Sequence, residues 1–169
     1  KYKIFIAKIL YLAFSFFGIF KYKKVDRGKI KWSLDISEGI DLSIFILGNF
    51  EKELINIINK LLDKKEFDII DIGANIGVHT LQFAKEFQKS NIYAVEPTDF
   101  AYAKLVKNVS LNHELKEKIK HFQYFIGDQN LPNEIYSSWS LSNSFNSHSL
   151  HKGILKKTTN CLSSSLDEF

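Results

Sequence analysis

Two short apolar runs, each ending in a turn that carries an acid, constrain the fold of this chain more than any other feature. Phe67 to Ile72 runs into Asp71-Ile72-Gly73-Ala74-Asn75-Ile76-Gly77, and Asn91-Ile92-Tyr93-Ala94-Val95 runs into Glu96-Pro97. Between them Ile76, Thr80, Phe83, Ala84 and Phe87 recur at helical spacing, so the plain reading is strand, tight turn, helix, strand. Thr98 or Asp99 then caps a second helix whose Tyr102, Leu105, Val106 and Val109 share a stripe that fades near Asn112. A third strand fits Ile119 to Ile126. Alternation of this kind predicts βαβ units and a parallel sheet with helices on both faces, an α/β fold.

Upstream, Lys29 to Ile36 alternates apolar with polar residues, Glu38-Gly39 suits a turn, and Leu42 to Leu47 is apolar again, which reads as a β-hairpin. Asn49 suits an N-cap, with Phe50, Leu54, Ile57, Ile58 and Leu61 on the buried face of the helix that follows. Residues 1–24 form an apolar N-terminal helix, with Ile4 to Phe20 interrupted by Lys8 and Ser15 and flanked by Lys1, Lys3, Lys21, Lys23 and Lys24. Seventeen residues at 1.5 Å rise reach about 25 Å, short of a roughly 30 Å hydrocarbon core. Two readings of that segment remain: a helix packed on the domain, or an interfacial helix drawn to anionic lipid by its lysines. No small-residue cleavage pattern follows Phe20, which disfavours a signal peptide.

Residues 29–169 form the main domain, broken by a Ser-rich loop over 130–152 that holds seven serines between Ser137 and Ser149. Leu162 to Leu166 resumes a strand. The chain has 169 residues, no Met, a Lys at position 1 and an abrupt end at Phe169, so a cropped sequence is expected.

The formal charge of +4 invites a nucleic-acid reading, but residues 1 to 31 hold nine of the Lys and Arg side chains and one acid. The remainder is mildly acidic and has no basic run, which argues against phosphate-backbone binding. Cys161 is the single cysteine, so no internal disulfide forms, and no Cys/His spacing suits zinc. A cytoplasmic setting follows, with membrane association through residues 1–24 as the alternative.

Ligands of open α/β sheets sit beyond the carboxyl ends of the strands. Gly73 and Glu96 both fall there. Gly73 allows backbone to approach a ligand, the helix starting near Gly77 points free N–H groups at the same place, and Glu96 suits the vicinal hydroxyls of a ribose. An adenosine-type cofactor is implied. A dinucleotide site favours G-x-G-x-x-G, in which pyrophosphate lies on the turn; here Ala74 and Asn75 stand inside Gly73 to Gly77, and the middle glycine is missing. Asp71 favours a cationic ligand such as the ammonium of S-adenosylmethionine.

Asp71 to Gly77 followed by Ala94-Val95-Glu96-Pro97 resembles the FkbM family of S-adenosylmethionine-dependent methyltransferases, of the Rossmann-like class I fold. Gly48 to Glu51, Asn108 to Asn112 and Ser165 to Phe169 are also similar to that family, so the likeness covers roughly residues 30 to 169. It implies methyl transfer to a hydroxyl on a sugar, glycan or secondary metabolite. By the same resemblance Asp71, Gly73, Ala74 and Asn75 line the methionine and ribose side of the cofactor, Glu96 holds the ribose, and Asp128 lies near the adenine. The family pattern further implies another strand with an acidic motif after Phe169.

None of the five histidines is assigned as a general base, although His79 lies in the first turn after the glycine loop and His148 and His151 in the Ser-rich loop. His113 and His121 read as connector and strand-surface residues. The catalytic residues and the acceptor pocket stay unassigned. Two rivals remain: a nicotinamide-dependent oxidoreductase, and a non-catalytic binding or membrane-associated protein.

Overall fold

The computed structural model describes residues 2–17, 22–48, 51–62, 67–127, 134–137, 156–159 and 161–169. The chain divides into two compact units, one of residues 1–50 and 136–156, the other of 51–135 and 157–169.

The first unit opens with helix α1 (Tyr2–Phe16), followed by strands β1 (Tyr22–Arg27) and β2 (Ile30–Asp35) and helix α2 (Gly39–Leu47). β1 and β2 form an antiparallel hairpin in which Arg27 faces Ile30. The two turn residues, Gly28 and Lys29, both have positive φ, +61° and +59°. That is the geometry of a two-residue turn whose twist matches the flanking strands.

The hairpin expected from the sequence therefore exists with a different partner. Tyr22–Lys24 belongs to β1 rather than to the N-terminal helix, and Leu42–Leu47 lies in α2 rather than in a strand. A short unbroken apolar run has no periodicity to separate the two states. Capping decides here: Gly48 adopts the left-handed conformation at φ +75° and its N–H closes on the Ile44 carbonyl, while Asp41 stands in the first turn. The Asp41 carboxylate also accepts the Asp35 N–H at 2.5 Å, tying α2 back to the end of β2. The core of this unit centres on Ile36 and Leu42, against which Ala7, Leu10, Tyr11, Phe14 and Phe45 pack.

The second unit carries helix α3 (Lys52–Leu62), strand β3 (Ile69–Ile72), helix α4 (Val78–Glu86), strand β4 (Ile92–Val95), helices α5 (Asp99–Leu111) and α6 (His113–Lys116), and strand β5 (Ile119–Phe122). β3, β4 and β5 form a parallel sheet in that order, with Asp71 beside Ala94 and Val95 beside Phe122. This is the predicted succession of parallel strands joined by helical crossovers.

The third strand breaks at Gln123. Its continuation, β6 (Tyr124–Ile126), pairs in parallel with β9 (Leu162–Ser164), the strand resumed near the end of the chain. Two further strands, β7 (Glu134–Ser137) and β8 (Lys156–Thr159), pair with each other. β7 falls within the Ser-rich stretch 130–152 and β8 beyond it; the rest of that stretch lies outside the described residues.

Ile92, Ala94, Val95, Leu81, Ala84 and Leu105 make the buried centre of this unit. Two apolar surfaces differ from expectation. Leu54, Ile57 and Leu61 of α3 are exposed, and Ile55 is buried. In β3, Ile70 and Ile72 are about half exposed on the face opposite Asp71.

Candidate functional site

The carboxyl ends of β3 and β4 bring the two acids of the opening motifs to neighbouring strands. Past Ile72 the chain turns at Gly73, whose N–H bonds the Val95 carbonyl at 2.8 Å, and the Ala74 N–H shares that acceptor at 2.9 Å. The glycine turn is thus fastened to the adjacent strand end. Asn75 takes the left-handed conformation at φ +52°, and the Gly77 N–H closes on the Ala74 carbonyl at 2.8 Å just before α4 begins.

The two glycines of this loop need their missing side chains for different reasons. Both have positive φ, +79° at Gly73 and +88° at Gly77, where side chains are disfavoured. At Gly77 a Cβ would stand 2.8 Å from Cδ1 of Leu105, so this glycine lets α4 and α5 come together. A Cβ at Gly73 would meet nothing within 4 Å. Its outer side is open space at the strand ends.

Glu96 is buried at 6% exposure, and its carboxylate is shared between both crossover helices. Oε2 accepts the backbone N–H of Asn75 at 2.9 Å, from the loop before α4. Oε1 accepts the N–H of Thr98 at 2.9 Å and its hydroxyl at 2.6 Å, before α5. Two carboxylate oxygens offer about four acceptor positions. Three are filled by the protein.

Asp71 is held differently. Its Oδ2 accepts the hydroxyl of Thr80, which is fully buried in the first turns of α4, at 2.5 Å. Burial pushes the Asp71 carboxyl above the usual carboxylate range, opposed by the Thr80 hydroxyl, by the charge of nearby His79 and by the Thr80 backbone. An acid so placed gains from a cation brought near it.

The remaining candidate residues separate clearly. Gly73, Ala74, Asn75 and Gly77 form the loop, with Ala74 buried inside it. Asp128 lies outside the described residues, as do His148 and His151. Among the described residues no group of three or more His, Cys, Asp and Glu side chains is placed to hold a metal ion.

No family model matches the chain, and no curated protein matches it. Solved structures do. The crystal structure of M. jannaschii TYW2 in complex with AdoMet is similar at 19% identity and a TM-score of 0.41, over 60% of this chain and 42% of that one. The crystal structure of P. horikoshii TYW2 in complex with MeSAdo is similar at 18% identity and a TM-score of 0.41, over 69% of this chain and 41% of that one. The chain thus spans about two fifths of the length of these two proteins.

His79 stands beside the loop, its Nε2 3.2 Å from Oε2 of Glu51 and its ring stacked on Phe83. His121 has its Nδ1 2.9 Å from the Tyr102 hydroxyl, a contact between β5 and α5. His113 opens α6 and is exposed.

Several residues that hold the site carried little signal in the sequence. Asn108 is fully buried and donates from Nδ2 to the Ile76 carbonyl at 2.9 Å. Thr98, read as a helix cap, turns its hydroxyl back to Glu96 instead. The first N–H of α5, on Asp99, is taken at 2.9 Å by the hydroxyl of Thr158, far away in sequence. Cys161 lies at the same strand end, its thiol 3.3 Å from the Pro97 carbonyl and pushed up by burial and then by the charges of Asp99 and Glu96.

Proposed function

We propose that the carboxyl ends of β3 and β4 form the cofactor site of an S-adenosylmethionine-dependent methyltransferase. The observation that carries this reading is the open side of Gly73, set between strand ends that bear Asp71 and Glu96. A ligand there lies against backbone, with an acceptor position of Glu96 for a ribose hydroxyl and the Asp71 carboxyl for a cationic group.

Charge distinguishes this cofactor from a dinucleotide. A pyrophosphate would bring anionic oxygens next to Asp71, whose carboxyl is already raised by burial. Asn75 also stands where a dinucleotide turn has its second glycine. The ammonium of a methionine moiety relieves the same environment.

When bound, S-adenosylmethionine supplies a methyl on a sulfonium that passes to an attacking acceptor oxygen by direct displacement. The contribution of this chain is to hold and orient, the part of catalysis that positioning supplies. The resemblance of the sequence to the FkbM family supports a hydroxyl on a sugar, glycan or secondary metabolite as the acceptor.

Isothermal titration of the chain with S-adenosylmethionine and with NAD tests the proposal. Saturable binding of the former, lost in Glu96→Gln and Asp71→Asn variants that keep their fold, is expected. Binding of NAD without S-adenosylmethionine overturns it in favour of an oxidoreductase.

A further inference from the structure

Helix α1 is apolar except at Lys3, Lys8 and Ser15, and among the described residues one side of it is covered while another is exposed. At about 100° per residue, Ala7, Leu10, Tyr11 and Phe14 share one face. That face packs on Ile36, Leu42 and Phe45 of the first unit. The opposite face carries Ile6, Ile9, Leu12, Phe16 and Phe17, exposed by 55%, 49%, 64%, 86% and 76%. A contiguous exposed apolar surface of this kind marks an interaction site.

Charge identifies what meets it. Residues 1 to 31 carry nine Lys or Arg and a single acid, Asp26, while the rest of the chain is net acidic. In sequence the helix is bracketed by Lys1 and Lys3 on one side and by Lys21, Lys23 and Lys24 on the other. Lys24 is exposed on β1, and Tyr22 beside it is 68% exposed, an amphipathic ring of the type enriched at headgroup level. Two copies of the chain meeting through α1 would bring these like charges together. An anionic bilayer surface accepts the apolar face and the cations at once.

We propose that α1 seats the protein on an anionic membrane surface, lying in the interface with Ile6, Ile9, Leu12, Phe16 and Phe17 inserted into one leaflet. Its fifteen residues rise about 22 Å, short of the roughly 30 Å of a hydrocarbon core, so the helix lies along the surface. Consistent with that length, no helix among the described residues is long and apolar enough to cross a membrane. The inner face keeps its contacts with Ile36, Leu42 and Phe45, so binding requires no opening of the unit.

Co-sedimentation of the whole chain with vesicles tests this, comparing phosphatidylcholine alone with phosphatidylcholine containing about one third phosphatidylglycerol. The expected result is selective binding to the anionic vesicles that weakens as salt is raised. Leu12→Glu and Phe16→Glu, both on the exposed face, are each expected to lower partitioning about tenfold with an unchanged far-ultraviolet circular dichroism spectrum. Lys24→Glu is expected to weaken binding to anionic vesicles only. Absence of vesicle binding, or binding indifferent to Leu12→Glu and Phe16→Glu, overturns the proposal. So does a dimer, seen by light scattering, that those two substitutions dissociate in a chain that ignores lipid.

Discussion

Asn108 of α5 donates its Nδ2–H to the carbonyl of Ile76, 2.9 Å away in the glycine loop, and is itself fully buried. One crossover helix thereby holds the turn that launches the other. The Asn108 carbonyl in its turn accepts the side-chain amide of Asn112 at 2.8 Å, which ties this contact to the end of α5. The loop is held by its surroundings as well as by its own sequence.

Asn108→Ala leaves the Ile76 carbonyl without that donor and opens a small void. A loss of about 1–3 kcal/mol is expected, read as a lower midpoint in urea unfolding with an unchanged slope. Affinity for S-adenosylmethionine should fall as well, since the loop beside Asn75 loses its support.

The two loop glycines should respond in opposite ways to alanine. Gly77→Ala drives a methyl to 2.8 Å from Leu105 in a positive-φ position, and a cost of about 1–3 kcal/mol in stability is expected. Gly73→Ala carries only the backbone penalty, about 1 kcal/mol, because the methyl enters open space. Its effect belongs to the ligand: cofactor affinity should drop about tenfold or more, in titrations where Gly77→Ala is compared at equal folded fraction.

Asp71 sets a pH dependence whose sign follows from its raised carboxyl. The native state holds this proton more tightly than the unfolded chain does. The contribution to stability is therefore fully present below the ordinary carboxylate range and is lost as pH rises through the higher native value. Asp71→Asn removes that dependence, so the variant should be at least as stable as the parent near neutral pH in thermal unfolding. It should also lose cofactor binding. Cofactor affinity of the parent should fall on acidification, beginning at a higher pH than an ordinary aspartate would give.

In the first unit Lys156 places its Nζ 2.5 Å from Oε1 of Glu38, whose side chain is 6% exposed. Lys156→Ala takes a charged partner from a buried carboxylate, and a destabilisation of about 1–3 kcal/mol is expected by denaturant unfolding. The double variant with Glu38→Gln should recover part of that loss, because the uncompensated charge goes with it.

The parallel strands were legible because both signals acted locally: an apolar run of strand length, then an acid and glycine at its end. Ile69–Ile72 and Ile92–Val95 fall where those signals place them. Leu42–Leu47 was not legible, since an unbroken apolar run carries no period, and its helical state depends on Gly48 and on the Asp41 contact to the Asp35 backbone. β1 was hidden by composition, its lysines reading as the flank of an apolar helix. At the site, Gly73 and Glu96 announced themselves by residue type and spacing. Thr80 and Thr158 could not, because a hydroxyl acquires meaning only from the group that folding places opposite it.

Pairing of β6 with β9 sets the timing of folding. Tyr124–Ile126 cannot make this pairing until Leu162–Ser164, well downstream, has been made. In between, the chain leaves this unit at Tyr136 for the first and returns at Lys157. Parallel pairing across such a separation in sequence forms slowly, and an unpaired strand edge is open to aggregation until it does. Synthesis order thus makes the arrival of β9 the condition for completing that pairing.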